Sequence, residues 1–133
     1  MFKRIFGHIG NEDITASLIS SIVEKKITNV ELDNSTILEK DLLDDKVGIL
    51  DIRAKIDNKI NCNIEMQVVD HNNIEKRIMF YWSKMYSTSI KSGKDYETLE
   101  KTIVILISDY ELESLKEIPK YQTKWQIREE EYH

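Results

Sequence analysis

Two stretches of alternating apolar and polar residues, Val47–Ile56 and Ile60–Val69, form the clearest pattern along the chain. Alternation with a period of two is typical of a strand that has one buried face. The turn-forming residues Asp57, Asn58 and Lys59 separate the two stretches. The pattern therefore predicts a β-hairpin.

The register of this hairpin follows from the requirement that both apolar sets lie on one face. A one-residue slip would turn one strand over, so the numbers of paired residues must have an even sum. A three-residue turn centred on Asn58 satisfies this condition and places Asp51 directly opposite Glu65. The same register pairs Leu50 with Met66 and Ile52 with Ile64, and puts Gln67 one step along the polar face.

Two helices are predicted, at Asn11–Lys26 and Asn73–Ser92. In the first, apolar residues recur at four-residue spacing after an acidic first turn. In the second, Glu75 follows Asn72 as the acid of a capping box does, an apolar stripe follows, and Gly93 supplies the stop.

Three further stretches are predicted as strands. Asn29–Leu32 is short, Thr102–Ile107 is an apolar run typical of a strand buried on both faces, and Trp125–Arg128 can begin another strand. A right-handed crossover through the second helix would make the strand at Thr102–Ile107 parallel to one hairpin strand. The sequence thus predicts an α/β domain with a mixed central sheet flanked by helices.

Composition limits the organisation of the chain. Its 133 residues are 41% hydrophobic and contain no repeat or linker, which predicts a single domain over residues 1–133. The single cysteine cannot form an intramolecular disulfide, and no signal peptide or membrane-spanning run is present. We therefore expect a cytoplasmic protein with no membrane association.

Charge is unevenly distributed. The net charge of −5 argues against a dedicated nucleic-acid binder, yet residues 76–94 carry five basic side chains and no acid. Residues 29–46 carry six acids against two lysines. One end of the domain is therefore suited to anions, with two solvated faces as the alternative interpretation.

The opposed pair of Asp51 and Glu65 is the strongest candidate for chemistry. Like charges directly opposite each other destabilise a sheet, so the pair needs a compensating cation. Mg²⁺ is often held by one or two carboxylates, with substrate phosphate and water completing its coordination. The alternative is a surface ion cluster in which Arg53, beside Asp51 and diagonal to Glu65, neutralises both acids.

An ordered set of motifs resembles the transposase-associated, Rpn-type branch of the PD-(D/E)XK nuclease superfamily. Each motif is weak alone, but together they cover essentially the whole chain. They are the opening Phe2–Gly7, then Gly48–Lys55, Asn63–Gln67, the basic pair Lys76 and Arg77 with Phe80–Tyr86, and finally Lys124–Gln126. The resemblance implies a restriction-endonuclease-like core and a metal-dependent DNA endonuclease linked to transposition or recombination.

The same resemblance assigns roles around the hairpin. Asp51 corresponds to the metal-binding acid of the first core strand and Glu65 to the acid of the D/E-x-K motif. Gln67 stands at the lysine position of that motif, which is commonly glutamine in this branch. Mg²⁺ or Mn²⁺ would be held by Asp51, Glu65 and the backbone carbonyl of Met66, while Gln67 would orient the attacking water.

Further roles fall on the second predicted helix. Arg77, Tyr81 and Lys84 lie at i, i+4 and i+7, so they share a face that would bind DNA phosphate, although core packing is the alternative for Tyr81. Lys84 or Lys55 would supply the positive charge of the missing motif lysine. DNA is the implied partner, and pairing of two chains into a homodimer is left open.

Two departures from the branch favour a second interpretation. Its members usually begin earlier, with an Asp-containing segment, and usually carry a C-terminal region, so we expect this chain to lack both segments. A catalytically inactive DNA-binding or protein-interaction relic of the same fold is therefore the main alternative, and a plain structural module is a third. Cys62 is expected to be a buried structural thiol, and the three histidines show no metal-ligand spacing.

Overall fold

The computed structural model describes residues 1–33, 50–69 and 73–131. Predictions that concern Val47–Ile49, His71, Asn72 and His133 lie outside the described residues, as does most of the acidic stretch at 29–46.

The described elements are two helices, three strands, a third helix and a fourth strand, in that order. The helices are α1 (Phe2–Phe6), α2 (Glu12–Val23) and α3 (Ile74–Thr88). The strands are β1 (Val30–Asp33), β2 (Leu50–Ile56), β3 (Ile60–Gln67) and β4 (Lys101–Ser108). Short 3₁₀ turns occupy Tyr96–Thr98 and Glu113–Leu115.

The described strands form one mixed sheet in the order β1-β2-β3-β4. The pairings of β1 with β2 and of β2 with β3 are antiparallel, whereas β3 and β4 are parallel. A parallel pair needs a crossover connection, and α3 lies within it. The predicted mixed sheet, flanking helices and parallel last strand are confirmed.

The hairpin has the predicted register. Asp51 lies opposite Glu65, Leu50 opposite Met66 and Ile52 opposite Ile64. The turn is possible because Asp57 and Asn58 adopt left-handed backbone angles, with φ of 51° and 55°, a conformation that these two residue types tolerate better than most. A hydrogen bond of 3.0 Å from Lys59 N to Ile56 O closes the turn.

The apolar face of the sheet packs against α1 and α2. Both helices contribute buried residues, among them Phe2 from α1 and Ile19 from α2. The sheet contributes the alternate residues that the period-two pattern predicts: Val30, Leu32, Ile52, Ala54, Ile56, Cys62, Ile64 and Ile105. Helix α1 was not predicted, because five residues are too few for a helical period to show in the sequence.

The polar face of the sheet is covered by α3. Tyr81 is buried, and Trp82 Nε1 donates a 3.0 Å hydrogen bond to the Thr102 carbonyl of β4. Trp82 also stacks on Tyr86, with ring centroids 5.2 Å apart. The polar residues of β3 consequently lie between the sheet and a helix rather than in solvent, and Asn63, Glu65 and Gln67 are all buried.

Three helix ends differ from the predictions. Helix α2 ends at Val23, because Glu24 adopts a left-handed conformation with φ of 55°, and helix α3 ends at Thr88 rather than at Ser92. The capping box proposed for α3 is wrong. Asn73 is the N-cap residue, in a left-handed conformation and without a side-chain capping bond, while the Glu75 carboxylate accepts a hydrogen bond from Ser114 Oγ.

The predicted strand at Trp125–Arg128 is also wrong. These residues have no regular secondary structure, and Trp125 and Ile127 are exposed. The segment runs past the end of α2, where Gln122 Nε2 donates to Ile22 O at 2.6 Å and Lys124 Nζ lies 2.7 Å from Glu24 Oε2. Apolar residues alone do not make a strand, because a strand also needs a neighbouring strand for its backbone.

Candidate functional site

The backbone register brings the two predicted metal-binding acids to opposed positions on β2 and β3. A 2.9 Å hydrogen bond from Asp109 N to Gln67 O shows which backbone groups of β3 pair with β4. Backbone groups of odd-numbered β3 residues therefore point to β4, and those of even-numbered residues point to β2. Asp51 and Glu65 are thus a non-hydrogen-bonded pair, the class in which opposed Cα atoms are closest, at about 4.5 Å.

Glu65 is a fully buried acid, with 0% of its surface exposed. Its Oε1 accepts a 2.9 Å hydrogen bond from Gln67 Nε2, and Gln67 is itself buried. The contact forms because residues two apart in a strand lie on the same face. A buried carboxylate is costly unless hydrogen bonds and nearby cations compensate for its lost hydration, so Gln67 orients Glu65 and stabilises it.

The positively charged guanidinium of Arg77 lies beside the buried Glu65 carboxylate. Its Nε lies 3.9 Å from Glu65 Oε1 and donates a 3.3 Å hydrogen bond to the Tyr81 hydroxyl. The Arg77 guanidinium carbon also lies 5.5 Å from the centre of the Tyr81 ring. Arg77 Nη2 is buried and has no hydrogen-bond partner among the described residues. Arg77 and Tyr81, predicted to share a face of α3, therefore do so above Glu65.

The contact between Arg77 and Glu65 was not predicted, although the sequence carried a signal for it. Arg77 precedes Tyr81 by four residues and so belongs to the inward stripe of α3, where a long cation reaches the polar face of the sheet. The proposed ion cluster placed Arg53 beside the acids instead. In the register Arg53 lies between Asp33 of β1 and Asn63 of β3, so the structure adds Arg77 to that interpretation.

The two candidates for the missing motif lysine differ in position. Lys84 is half-buried on α3, two turns after Arg77. Lys55 forms an ion pair with Glu100, which also accepts a 2.9 Å hydrogen bond from Asn61 Nδ2. Four residues of strand separate Lys55 from Asp51, a distance of about 13 Å. The charge of Lys55 therefore lies at the far end of the hairpin from Asp51, paired with Glu100.

Two ionisable groups outside this cluster, the Glu100 carboxyl and the Cys62 thiol, have structural roles. The hydrogen bond from Lys55 holds the pKa of the Glu100 carboxyl below its usual value. Burial raises the pKa of the Cys62 thiol from 9.0 to about 12, so the nucleophilic thiolate is disfavoured. Cys62 is buried on the apolar face, as predicted for a structural thiol, and His8 is exposed.

Comparison with protein families identifies the chain. The family of PD-(D/E)XK nuclease family transposases matches residues 1–133. The chain belongs to this family. Searches of curated proteins and of solved structures gave no match. Family membership agrees with the mixed sheet and flanking helices of a restriction-endonuclease-like fold, and it indicates a nuclease-type function.

Nucleases of the PD-(D/E)XK superfamily generally use divalent metal ions, and the residues at the hairpin fit such an ion. Two carboxylates at opposed positions are oxygen donors of the kind that Mg²⁺ prefers. The ladder phase directs the Met66 carbonyl to β2, the strand that carries Asp51. Among the side chains that the structure describes, no group of three or more His, Cys, Asp or Glu gathers.

In residues 1–33, 50–69 and 73–131 of this PD-(D/E)XK family member, no helix has the length and apolar character needed to cross a bilayer.

Proposed function

We propose that the protein is a metal-dependent DNA endonuclease that hydrolyses phosphodiester bonds during transposition or recombination. The register that sets Asp51 opposite the buried Glu65 carries this proposal, in a chain that belongs to a nuclease family. A like-charge pair on adjacent strands destabilises the sheet without a cation. Such a pair is readily explained if the cation is part of the function.

The residues divide the work of hydrolysis. Asp51, Glu65 and the Met66 carbonyl would hold Mg²⁺ or Mn²⁺, which when bound polarises a phosphoryl oxygen and lowers the pKa of its water. Gln67 fixes the Glu65 carboxylate through its amide nitrogen, so its amide oxygen is the group that would orient the attacking water. A neutral amide cannot supply the positive charge of the usual lysine, and Lys84 on α3 is proposed to do so.

Arg77 and Tyr81 are proposed to bind the phosphate. A guanidinium has five N–H donors in a planar fork that matches phosphate oxygens. One edge of that fork, at Nε, contacts Tyr81 and approaches Glu65, whereas Nη2 has no partner among the described residues. An incoming phosphate oxygen would satisfy this donor, and Tyr81 would hold the guanidinium in place.

A second candidate function is a DNA-binding or protein-interaction relic without catalysis. The observation in its favour is the distance of 3.9 Å between Arg77 Nε and Glu65 Oε1. In a relic Arg77 would be the permanent counter-ion of Glu65, and no metal ion would be needed.

Nicking of supercoiled plasmid tests the proposed function. Wild-type protein is assayed with Mg²⁺, with Mn²⁺ and with EDTA beside Asp51→Asn, Glu65→Gln and the control Glu31→Gln, an exposed acid of β1. We expect cleavage only with metal, with a loss of about 100-fold or more in the two site variants, as for removal of a group that stabilises transition-state charge. Glu31→Gln should cleave at the wild-type rate.

Calorimetric titration with Mn²⁺ separates the two candidates. A nuclease should bind the ion in the wild type and the Glu31→Gln protein, but not after Asp51→Asn or Glu65→Gln. A folded wild-type protein that neither nicks plasmid nor binds Mn²⁺ would contradict the nuclease and support the relic.

A further inference from the structure

The outer surface of α3 carries an exposed aromatic ring between two lysines. Phe80 is 56% exposed, and Lys76 and Lys84 lie four residues before and after it. Residues four apart in a helix are neighbours on its surface. We call Lys76 and Phe80 the outer stripe of α3. It lies beside the inward stripe of Arg77, Tyr81 and the half-buried Lys84.

The charged residues of α3 after its first turn are all basic. No acid occurs between Lys76 and Lys94. The nearest acid in sequence is Glu75, and its carboxylate accepts a hydrogen bond from Ser114 Oγ in the C-terminal segment. An aromatic ring between cations suits a polyanion with flat apolar groups, which is the chemistry of nucleic acid.

Three successive contacts connect Phe80 to the buried acid. Arg77 Nε lies 3.9 Å from Glu65 Oε1 and 3.3 Å from the Tyr81 hydroxyl. The Tyr81 ring in turn lies beside the Phe80 ring, with centroids 5.8 Å apart and planes tilted by 59°. Phe80 is therefore the exposed end of a chain of side chains that begins at the proposed catalytic acid.

We propose that Phe80 stacks on an unpaired base next to the phosphodiester that is cleaved, while Lys76 contacts a flanking phosphate. This inference rests on the proposed function and specifies its substrate: a strand with at least one unstacked nucleotide. A fully paired duplex shows only base edges in its grooves, whereas an unpaired base exposes the ring face that an aromatic side chain can stack on.

Binding in EDTA tests this proposal separately from cleavage. Fluorescence anisotropy measures the affinity of a labelled single-stranded oligonucleotide, as DNA and as RNA, and of the matched duplex. The variants are Phe80→Ala, Phe80→Trp and Met79→Ala; Met79 is the adjacent residue of α3 and is 52% exposed, so it is a matched control. We expect Phe80→Ala to weaken single-strand binding about tenfold, as for loss of one stacked base. Phe80→Trp should restore it, and Met79→Ala should leave it within about twofold.

The lysines have a distinct expected effect. Lys76→Gln should weaken binding of single strand and duplex alike and reduce the slope of log affinity against log salt by about one unit. A loss of single-strand affinity that is equal in Phe80→Ala and Met79→Ala, or absent from both, would overturn the proposal. So would a dimer in sedimentation that Phe80→Ala dissociates without any change in oligonucleotide binding, because the stripe would then bind a second copy.

The two proposals can fail independently. Glu65→Gln should abolish nicking and keep the Phe80-dependent binding of single strands. Binding of this kind in a wild-type protein that never nicks plasmid would support the outer stripe and reject the nuclease. Nicking without any effect of Phe80→Ala on binding would do the reverse.

Discussion

Glu65 shows how function and stability conflict at a single residue. It is fully buried under α3 and lies opposite Asp51, so the fold carries a charge where a neutral side chain would be less costly. Its position away from the apolar core would make Glu65→Ala harmless if the polar face were solvated. The cover of α3 changes this expectation, because Gln67 Nε2 would lose its acceptor in a buried place.

Substitutions of Glu65 should therefore differ in stability. Glu65→Ala is expected to lower the free energy of unfolding by about 1–3 kcal/mol, the usual cost of a buried polar group left unpaired. Glu65→Gln keeps the shape and an acceptor for Gln67, and the charge that it removes both repels Asp51 and attracts Arg77, so its stability should lie closer to that of the wild type. Urea unfolding in EDTA measures both. A Glu65→Ala protein as stable as Glu65→Gln would show that the Gln67 contact contributes nothing.

Cys62 should make stability fall at high pH. Burial raises the pKa of its thiol to about 12 in the folded protein, against 9.0 for an ordinary thiol. The contribution of the protonated thiol to the free energy of unfolding is fully present below pH 9.0. It is lost as the pH rises towards 12, because in that range the thiol ionises in the unfolded chain and stays protonated in the folded protein. Thermal melts between these values should fall more steeply for the wild type than for Cys62→Ala. Parallel curves would exclude the thiol as the cause.

At the scale of elements, β3 contributes buried residues to both faces of the sheet. Its even-numbered residues, such as Ile64, lie in the apolar core with α1 and α2, and its odd-numbered residues, such as Glu65, lie under α3. A single slip of register would exchange the two sets. The period-two alternation is therefore what places the proposed site on one face and the core on the other.

A charge on the core side of β3 should unfold the protein. Ile64 is fully buried, and Ile64→Asp would place a carboxylate among apolar residues without a partner. We expect a loss of more than about 4 kcal/mol, a large part of the stability of a domain of this size. Val68→Asp, one residue beyond β3 and 64% exposed in the wild type, is the control and should change stability by less than about 0.5 kcal/mol. Circular dichroism in urea distinguishes the two.

The sequence predicted the elements with strong periodicity and missed those that depend on tertiary contacts. Alternation restricts the hairpin register to even sums of paired numbers, which keep Ile52 and Ile64 on one side, and the three-residue turn centred on Asn58 selects the observed one. The predicted strand at Trp125–Arg128 is wrong, because the sequence of one segment does not show whether a neighbouring strand is available to pair with it. The contact of Arg77 with Glu65 joins two elements: the helical period of α3 shows that Arg77 faces inward, but it does not show which residue of the sheet Arg77 meets.

At the scale of the molecule, the sheet separates two layers of different chemistry. One layer, formed with α1 and α2, is apolar and closes over Ile19, Ile56 and Ile64. The other, formed with α3, encloses buried polar groups and ends in the outer stripe at Phe80. The apolar layer with α1 and α2 therefore supplies most of the stability. The layer with α3 can consequently contain two acids that repel each other.

This division predicts that the difference in stability between the wild type and Asp51→Asn changes sign when a metal ion binds. In EDTA, Asp51→Asn should raise the melting temperature, because it removes a like charge opposite Glu65. With Mn²⁺ in excess the wild type should gain stability by mass action, whereas Asp51→Asn should gain none, so the order of the two proteins reverses. Glu31→Gln removes an exposed acid of β1 and should follow the wild type in both conditions. Thermal melts of the three proteins with EDTA and with Mn²⁺ provide the measurement. If Mn²⁺ stabilised all three equally, the ion would be binding elsewhere, and if it stabilised none, Glu65 would need no metal ion as a counter-ion.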